Sequence, residues 1–252
     1  MTAIWKGAHS SNFQAGRPNG HRPRAIVIHI MDGSLVGTDS WFNDRASGVS
    51  AHYGIGKAGT VHQYVRETDT AFHAGTVVRP TWPLLKPGIN PNYYTIGIEH
   101  EGFGGPGTSW PKGMLEASVA LVGDIARRWG IPLDADHIIP HRAIRATKPH
   151  CPGRGVDLGA YLAHVAAAPR AAEPAEETIA SFTARIVSNA YVRREPRRDT
   201  VPLRTLLPGD GFPVVAVARG EDVSGNDRWL RNPAGEYLWA GNTDRPLGSL
   251  RG

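Results

Sequence analysis

The apolar positions in the first two thirds of the chain fall into short runs with sharp polar boundaries. Ala25-Ile26-Val27-Ile28-His29-Ile30 is almost continuously apolar and lies between an Arg/Pro-rich approach and Asp32-Gly33, the pattern of a strand buried on both faces. His52-Tyr53-Gly54-Ile55-Gly56 and Val61-His62-Gln63-Tyr64-Val65 flank a turn at Ala58-Gly59 and predict a hairpin. Tyr94-Thr95-Ile96-Gly97-Ile98-Glu99 predicts a further strand with a polar residue at its end. Met114, Ala117, Leu121, Ile125 and Trp129 then recur at helical spacing until Gly130-Ile131-Pro132 stops the pattern. Strands interspersed with a long helix predict an α/β domain, a mixed central sheet flanked by helices.

The pattern changes after residue 166. The segment AAAPRAAEPAEETIA at 166–180 replaces Gly and aromatic residues with Ala, Pro and Glu, which marks a linker. Beyond it, short apolar segments at 190–193, 211–218, 228–230 and 236–240 are separated by Pro208-Gly209-Asp210, Gly225-Asn226-Asp227 and Asn232-Pro233-Ala234-Gly235. That alternation predicts a small all-β barrel. The expected organisation is therefore a domain at 1–166, a linker at 167–180 and a second domain at 181–252.

Composition sharpens this division. Of 252 residues, 40% are hydrophobic and 20% charged, enough for a sizeable core and incompatible with a disordered chain. The net charge is +5, and residues 181–252 carry eleven Arg, no Lys and eight acids, so +3 of it falls in the smaller piece. All eleven histidines lie between His9 and His164. The single cysteine, Cys151, excludes an intramolecular disulfide framework and is structural, catalytic or a metal ligand. The opening MTAIWKGAHSSNFQAG lacks the apolar core of a signal peptide, and no run of about 18 apolar residues occurs. The expectation is a soluble chain made in the cytoplasm, without membrane insertion.

His29, at the end of its apolar strand, suits a hydrogen-bonded core histidine when taken alone. His141 and Cys151, ten residues apart, change its company: two imidazoles and a thiolate are suitable zinc ligands and leave a fourth position for water. Such a centre needs a proton acceptor and an oxyanion donor. Glu99 also ends a strand and suits the first role, unless it is a solvated carboxylate. Lys148 suits the second, unless it is a solvated lysine. His73, in Phe72-His73-Ala74-Gly75, either orients substrate or packs in a loop.

These residues, with Ser50-Ala51-His52-Tyr53 and Asn92 through Glu99, form five ordered motifs over residues 20–165 that resemble the zinc-dependent N-acetylmuramoyl-L-alanine amidases of the amidase-2 group, relatives of the peptidoglycan recognition proteins. The resemblance implies hydrolysis of the amide between muramic acid and L-alanine in bacterial peptidoglycan. It implies one zinc per chain on His29, His141 and Cys151, Glu99 as base, and substrate contacts from His73, Asn92 and His150. A branch of the family places a tyrosine where this chain has Ala51, which sets the chain on the glutamate side. Pro149 stands where relatives carry Lys or Thr, so Lys148 and His150 compete for the oxyanion role. The tail, with Tyr191-Val192-Arg193-Arg194-Glu195-Pro196, resembles a bacterial Src-homology-3-like wall-binding domain with Tyr237 and Trp239 as platforms and Trp229 in its core. A wall hydrolase without an export signal suits a phage or prophage endolysin, a monomer that reaches the wall after release. Its rivals are a non-catalytic wall-binding protein and a zinc peptidase of the peptide stem. No motif asks for nucleic acid.

Overall fold

The computed structural model describes residues 3–168, 175–198, 200 and 202–245. The chain forms two compact units, Met1–Ala168 and Pro169–Gly252. In the first, β1 (Ile4–Trp5), β2 (Phe13–Gln14), β3 (Ala25–Ile30), α1 (Leu35–Asn43), β4 (Tyr53–Ile55), β5 (Val61–Gln63), β6 (Thr70–Ala71), β7 (Thr95–His100), α2 (Lys112–Trp129), β8 (Ile138–Pro140) and α3 (Leu158–Ala167) follow in order. Six strands make one mixed sheet in the order β1-β5-β4-β7-β3-β8, and β2 and β6 pair separately.

β3 is buried along its whole length, as a continuous apolar run in the middle of a sheet requires. It runs parallel to β7 on one side and to β8 on the other. β4 and β5 form the expected hairpin, which turns at Gly59 with φ +89°. A side chain there would also lie 2.7 Å from the carbonyl oxygen of Gly113, so glycine is required twice over. α2 buries Met114, Ala117, Leu121, Ile125 and Trp129, the residues its spacing singled out. It ends in a left-handed Gly130, with Ile131 N–H reaching back to the carbonyl of Ala126, the Schellman closure. α1 and α3 leave too short a periodic signal in the sequence to be predicted.

Alternation divides the central strands between two faces. Ala25 and Val27 of β3 join Ala74, Trp82, Tyr94, Ile139 and Ile144 in a core on the face that His29 shares. His100 of β7 points to the other face, where its Nε2 meets Ser118 of α2 at 2.8 Å.

The second unit has β9 (Glu176–Arg185), β10 (Ala190–Val192), β11 (Arg204–Leu206), β12 (Gly211–Val223), β13 (Asn226–Arg231) and β14 (Tyr237–Trp239). They form an antiparallel sheet ordered β14-β13-β12-β9 and a β10-β11 ribbon, with an isolated bridge between Arg193 and Tyr237. Among the described residues these ladders do not close into the barrel that the turn spacing suggested. β9 starts at Glu176, inside the stretch whose composition marks a linker, because its backbone pairs with β12 from Glu176↔Ala218 onward. Residues 169–174 of that linker lie outside the described residues. Among the described residues, no helix is long and apolar enough to cross a membrane.

Tyr237 and Trp239 are both engaged within their own sheet. Tyr237 is 8% exposed and packs with Ala218, Val223 and Trp229, and its hydroxyl donates to Glu176. Trp239 lies against the same cluster and donates its Nε1–H to the carbonyl of Asn226. A sheet this small needs its large side chains for its own core. Tyr191, on β10, is the aromatic left 49% exposed.

One buried ion pair fastens the first unit. Glu67 accepts from the Tyr53 hydroxyl at 2.7 Å, from Trp129 Nε1 and from both Nε and Nη2 of Arg128, so it joins β4 to the end of α2. Glu67→Ala leaves a guanidinium and two further donors without their acceptor. It is expected to lower the unfolding free energy by about 3–5 kcal/mol, read from urea denaturation; a loss below about 1 kcal/mol would contradict this assignment.

Candidate metal centre

Parallel pairing of β3 with β7 places Ala25 opposite Thr95, Val27 opposite Gly97 and His29 opposite Glu99. Paired residues of a parallel ladder project to the same face, so His29 and Glu99 emerge side by side. β8 lies on the other flank of β3 with Pro140 opposite Ile28, and the chain turns at once into His141. The site thus sits beyond the carboxyl ends of three adjacent parallel strands, the place where open α/β sheets form binding crevices. The loop after β8 returns Cys151, whose Sγ accepts from Ile30 N–H at 3.4 Å.

His29, His141 and Cys151 each offer one ligand atom, and these atoms lie within 4.8 Å of one another. All three residues are buried. Cys151 Sγ is 3.9 Å from His29 Nδ1, and Glu99 Oε1 is 3.8 Å from the same nitrogen. The opposite nitrogen of each imidazole is engaged in the protein. His29 Nε2 meets His73 Nδ1 at 3.1 Å, and His141 Nε2–H donates to the carbonyl of Ala74 at 3.0 Å. Because a carbonyl only accepts, His141 carries its proton on Nε2, and its Nδ1 lone pair is available to a metal.

Electrostatics favour neutral ligands. Burial, and then the neighbouring His141 and His73, hold His29 well below the ordinary imidazole range. Burial also brings His141 down to about 4 and His73 to about 3. Burial raises the Cys151 thiol, so a cation is needed to draw out its proton. Burial and the negative charge of Asp32 push Glu99 up to about 8 while Lys148 pulls it down. Glu99 Oε2 is buried without a hydrogen-bond partner, an acceptor left unsatisfied beside the oxygen that lies 3.8 Å from His29 Nδ1.

Other residues singled out in the sequence take distinct places. Lys148 is exposed, yet its positive charge is felt at His29, His141, Cys151 and Glu99. His150 is exposed, with Nδ1 accepting from Arg154 Nε at 2.6 Å. His73 lies behind His29 with both ring nitrogens occupied, by His29 and by Thr95 Oγ1, so it has no polar atom free for a substrate. Asn92 is likewise buried, and its Oδ1 accepts from the backbone of His73 and Ala74 at 3.1 and 2.8 Å. Through Oδ1 it supports the carbonyl that orients His141.

Sequence reasoning missed Arg17, Asp32 and Ser118. Arg17 donates to the carbonyls of Asn92, Tyr93 and Thr95 and so clamps the start of β7 from the N-terminal arm. Tyr161 and Ser118 lead to His100, which bonds the carbonyl of His29 at 3.0 Å. None of these lies within a run that announces a site; only the parity of positions 95, 97 and 99 in β7 could have pointed to Thr95.

The buried imidazoles make a prediction for pH. An imidazole whose folded pKa is depressed contributes stability above about pH 6.5 and loses it as pH falls toward the folded value. His29, His73, His100 and His141 all act in this sense, with His100 brought down to about 4 by burial. Glu99 acts oppositely between about pH 4.5 and 8, and is outnumbered. Denaturation of the metal-stripped chain is expected to show stability falling from pH 6.5 to 4.5, and a flat or rising profile would contradict the burial of these rings.

Comparison with known proteins agrees with this geometry. Residues 19–154 match the amidase-2 family, described as N-acetylmuramoyl-L-alanine amidase. N-acetylmuramoyl-L-alanine amidase A of Achromobacter lyticus is 38% identical over 130 residues, 51% of this chain and 64% of that protein, so the match spans less than two thirds of the relative. The crystal structure of a selenomethionine derivative of AmpD shares the fold with a TM-score of 0.52 at 23% identity, covering 64% of this chain and 93% of that one. A mutant of PlyL gives 0.50 at 16% identity, covering 66% and 99%. With more than half of its length matched, and with the motifs of that match gathered at the ends of β3, β7 and β8, this chain belongs to the amidase-2 family.

Proposed function

We propose that this protein is a peptidoglycan hydrolase that cleaves the amide between the lactyl group of N-acetylmuramic acid and L-alanine, with one zinc ion on His29, His141 and Cys151. The observation that carries the reading is the convergence of these three donors within 4.8 Å, with Glu99 3.8 Å from His29. Ligands of a tetrahedral zinc stand about 3.3–3.8 Å apart, and two imidazoles with one thiolate are a donor set that zinc favours. The 3.9 Å between Cys151 Sγ and His29 Nδ1 is close to that spacing.

Zinc, when bound, supplies Lewis acidity that activates a water and polarises the scissile carbonyl. Glu99 accepts the proton of the attacking water on its open Oε2 and returns it to the departing L-alanine nitrogen. Burial raises the Glu99 pKa to about 8 even with Lys148 nearby, and a bound dication would pull it back down, toward the ionised form that a base needs. Lys148, whose charge reaches the cluster, is the candidate to stabilise the negative charge that develops on the carbonyl oxygen. His150, committed to Arg154, is the weaker candidate for that role. Cys151 and Glu99 together speak against a recognition-only protein, which needs neither a third ligand nor a base.

The second unit is proposed to be Src-homology-3-like and to hold the wall, with its arginine-rich surface and Tyr191 in place of Tyr237 and Trp239. An enzyme that joins such a unit to an amidase suits release onto the wall, as in a phage or prophage endolysin.

Digestion of purified peptidoglycan followed by mass spectrometry is expected to yield lactyl-terminated glycans and peptides beginning with L-alanine. Cuts within the stem would instead make the protein a peptidase, and intact material a binding protein. Glu99→Gln is expected to retain zinc while losing roughly two to four orders of magnitude in turnover; full activity would remove Glu99 as the base. Cys151→Ser should lower metal content and activity together. Tyr191→Ala should reduce retention on insoluble walls in a pull-down assay without changing zinc content.

A further inference from the structure

A hydrogen-bond chain behind His29 has a direction that can be read from one end. Thr95, fully buried at the start of β7, donates its single hydroxyl proton to the carbonyl of Pro91 at 2.8 Å, since that oxygen can only accept. The same Oγ1 lies 3.1 Å from His73 Nε2 and must therefore accept there, which places the proton of His73 on Nε2. His73 Nδ1 is then a lone pair, and His29 Nε2, 3.1 Å away, donates to it. The proton of His29 is thus held on Nε2, and its Nδ1 lone pair faces Cys151 and Glu99.

β7 is shaped to admit this chain. A Cβ on Gly97 would lie 2.4 Å from His73 Cγ and 2.7 Å from His73 Nδ1, although its backbone is not in the left-handed region. The glycine of the Ile96-Gly97-Ile98-Glu99 run is therefore the seat of the His73 ring, where any side chain would push that ring off the strand. Thr95, Gly97 and Glu99 share one face, so the strand that carries the proposed base also carries the support for the first proposed ligand.

We infer that Thr95 and His73 are positioning residues that fix the tautomer of His29, with Gly97 as the required seat for the His73 ring. Neither touches a substrate; they act through His29. The consequence for zinc affinity rests on the metal-binding reading above, whereas the tautomer does not. Replacing Thr95 by valine keeps the shape and removes the hydroxyl acceptor at 3.1 Å, leaving the backbone of Thr95 in place. His73 is then driven to carry its proton on Nδ1, which turns the hydrogen bond round and moves the proton of His29 onto the nitrogen meant for the metal.

The test is ring-nitrogen NMR of the metal-free, 15N-histidine-labelled full chain at neutral pH, paired with zinc affinity from chelator competition. The wild type and Thr95→Ser are expected to hold the His29 proton on Nε2 and to bind zinc alike. Thr95→Val and Gly97→Ala are expected to lose that tautomer and to weaken zinc binding roughly 10–100-fold. A wild-type His29 protonated on Nδ1 overturns the inference even if neither variant folds, and so does Thr95→Val that folds and binds zinc as tightly as Thr95→Ser. A wild type that shows the expected tautomer but binds no zinc would uphold the relay and refute the metal centre.

Discussion

Everything at the site depends on the parallel register of β3 and β7. Pairing Val27 with Gly97 and His29 with Glu99 brings a neutral imidazole and a carboxyl out on one face, at the same level of the sheet. A slip of one residue would turn Glu99 to the face occupied by His100, where Ser118 of α2 and Tyr161 of α3 form a hydrogen-bond chain. The register is held by burial: β3 is inaccessible on both faces, and the alternating isoleucines of β7 have no other apolar place to go.

That burial sets the chemistry as well as the position. Removing imidazoles from water keeps them uncharged, which a metal ligand must be, and leaves Glu99 with an unsatisfied oxygen at the cluster. The penalty is limited because the remaining polar atoms are satisfied in order. Asn92 holds the backbone of His73 and Ala74, the carbonyl of Ala74 holds His141, and Arg17 gathers the carbonyls that begin β7. Ligands supported in this way do not have to be ordered by the metal they receive.

The sequence made much of this legible, and its failures have physical causes. The β3 run, the β4–β5 hairpin and the Gly130-terminated helix have local signals strong enough to survive tertiary context. α1, α3 and β1 are short or mixed in pattern, and their conformation is decided by what they pack against. β9 was hidden because Ala, Pro and Glu composition speaks of a linker, while backbone pairing with β12 does not depend on side-chain type. At the site, His29, Glu99, His141 and Cys151 were visible as residue types suited to catalysis at strand ends and in a later loop. For His73 the sequence left substrate contact and packing both open, and its burial with Asn92, which the structure reveals, shows the supporting hydrogen bonds that each makes. Tyr237 and Trp239 were visible as aromatics, but their packing with Ala218, Val223 and Trp229 depends on tertiary context.

X-ray absorption at the zinc edge of the loaded protein tests the central claim most directly. Two imidazole nitrogens at about 2.0–2.1 Å, one sulfur at about 2.3 Å and one further light atom are expected around a four-coordinate ion. A shell without sulfur would contradict the assignment of Cys151, and a shell closed by four protein ligands would contradict the open position on which hydrolysis depends.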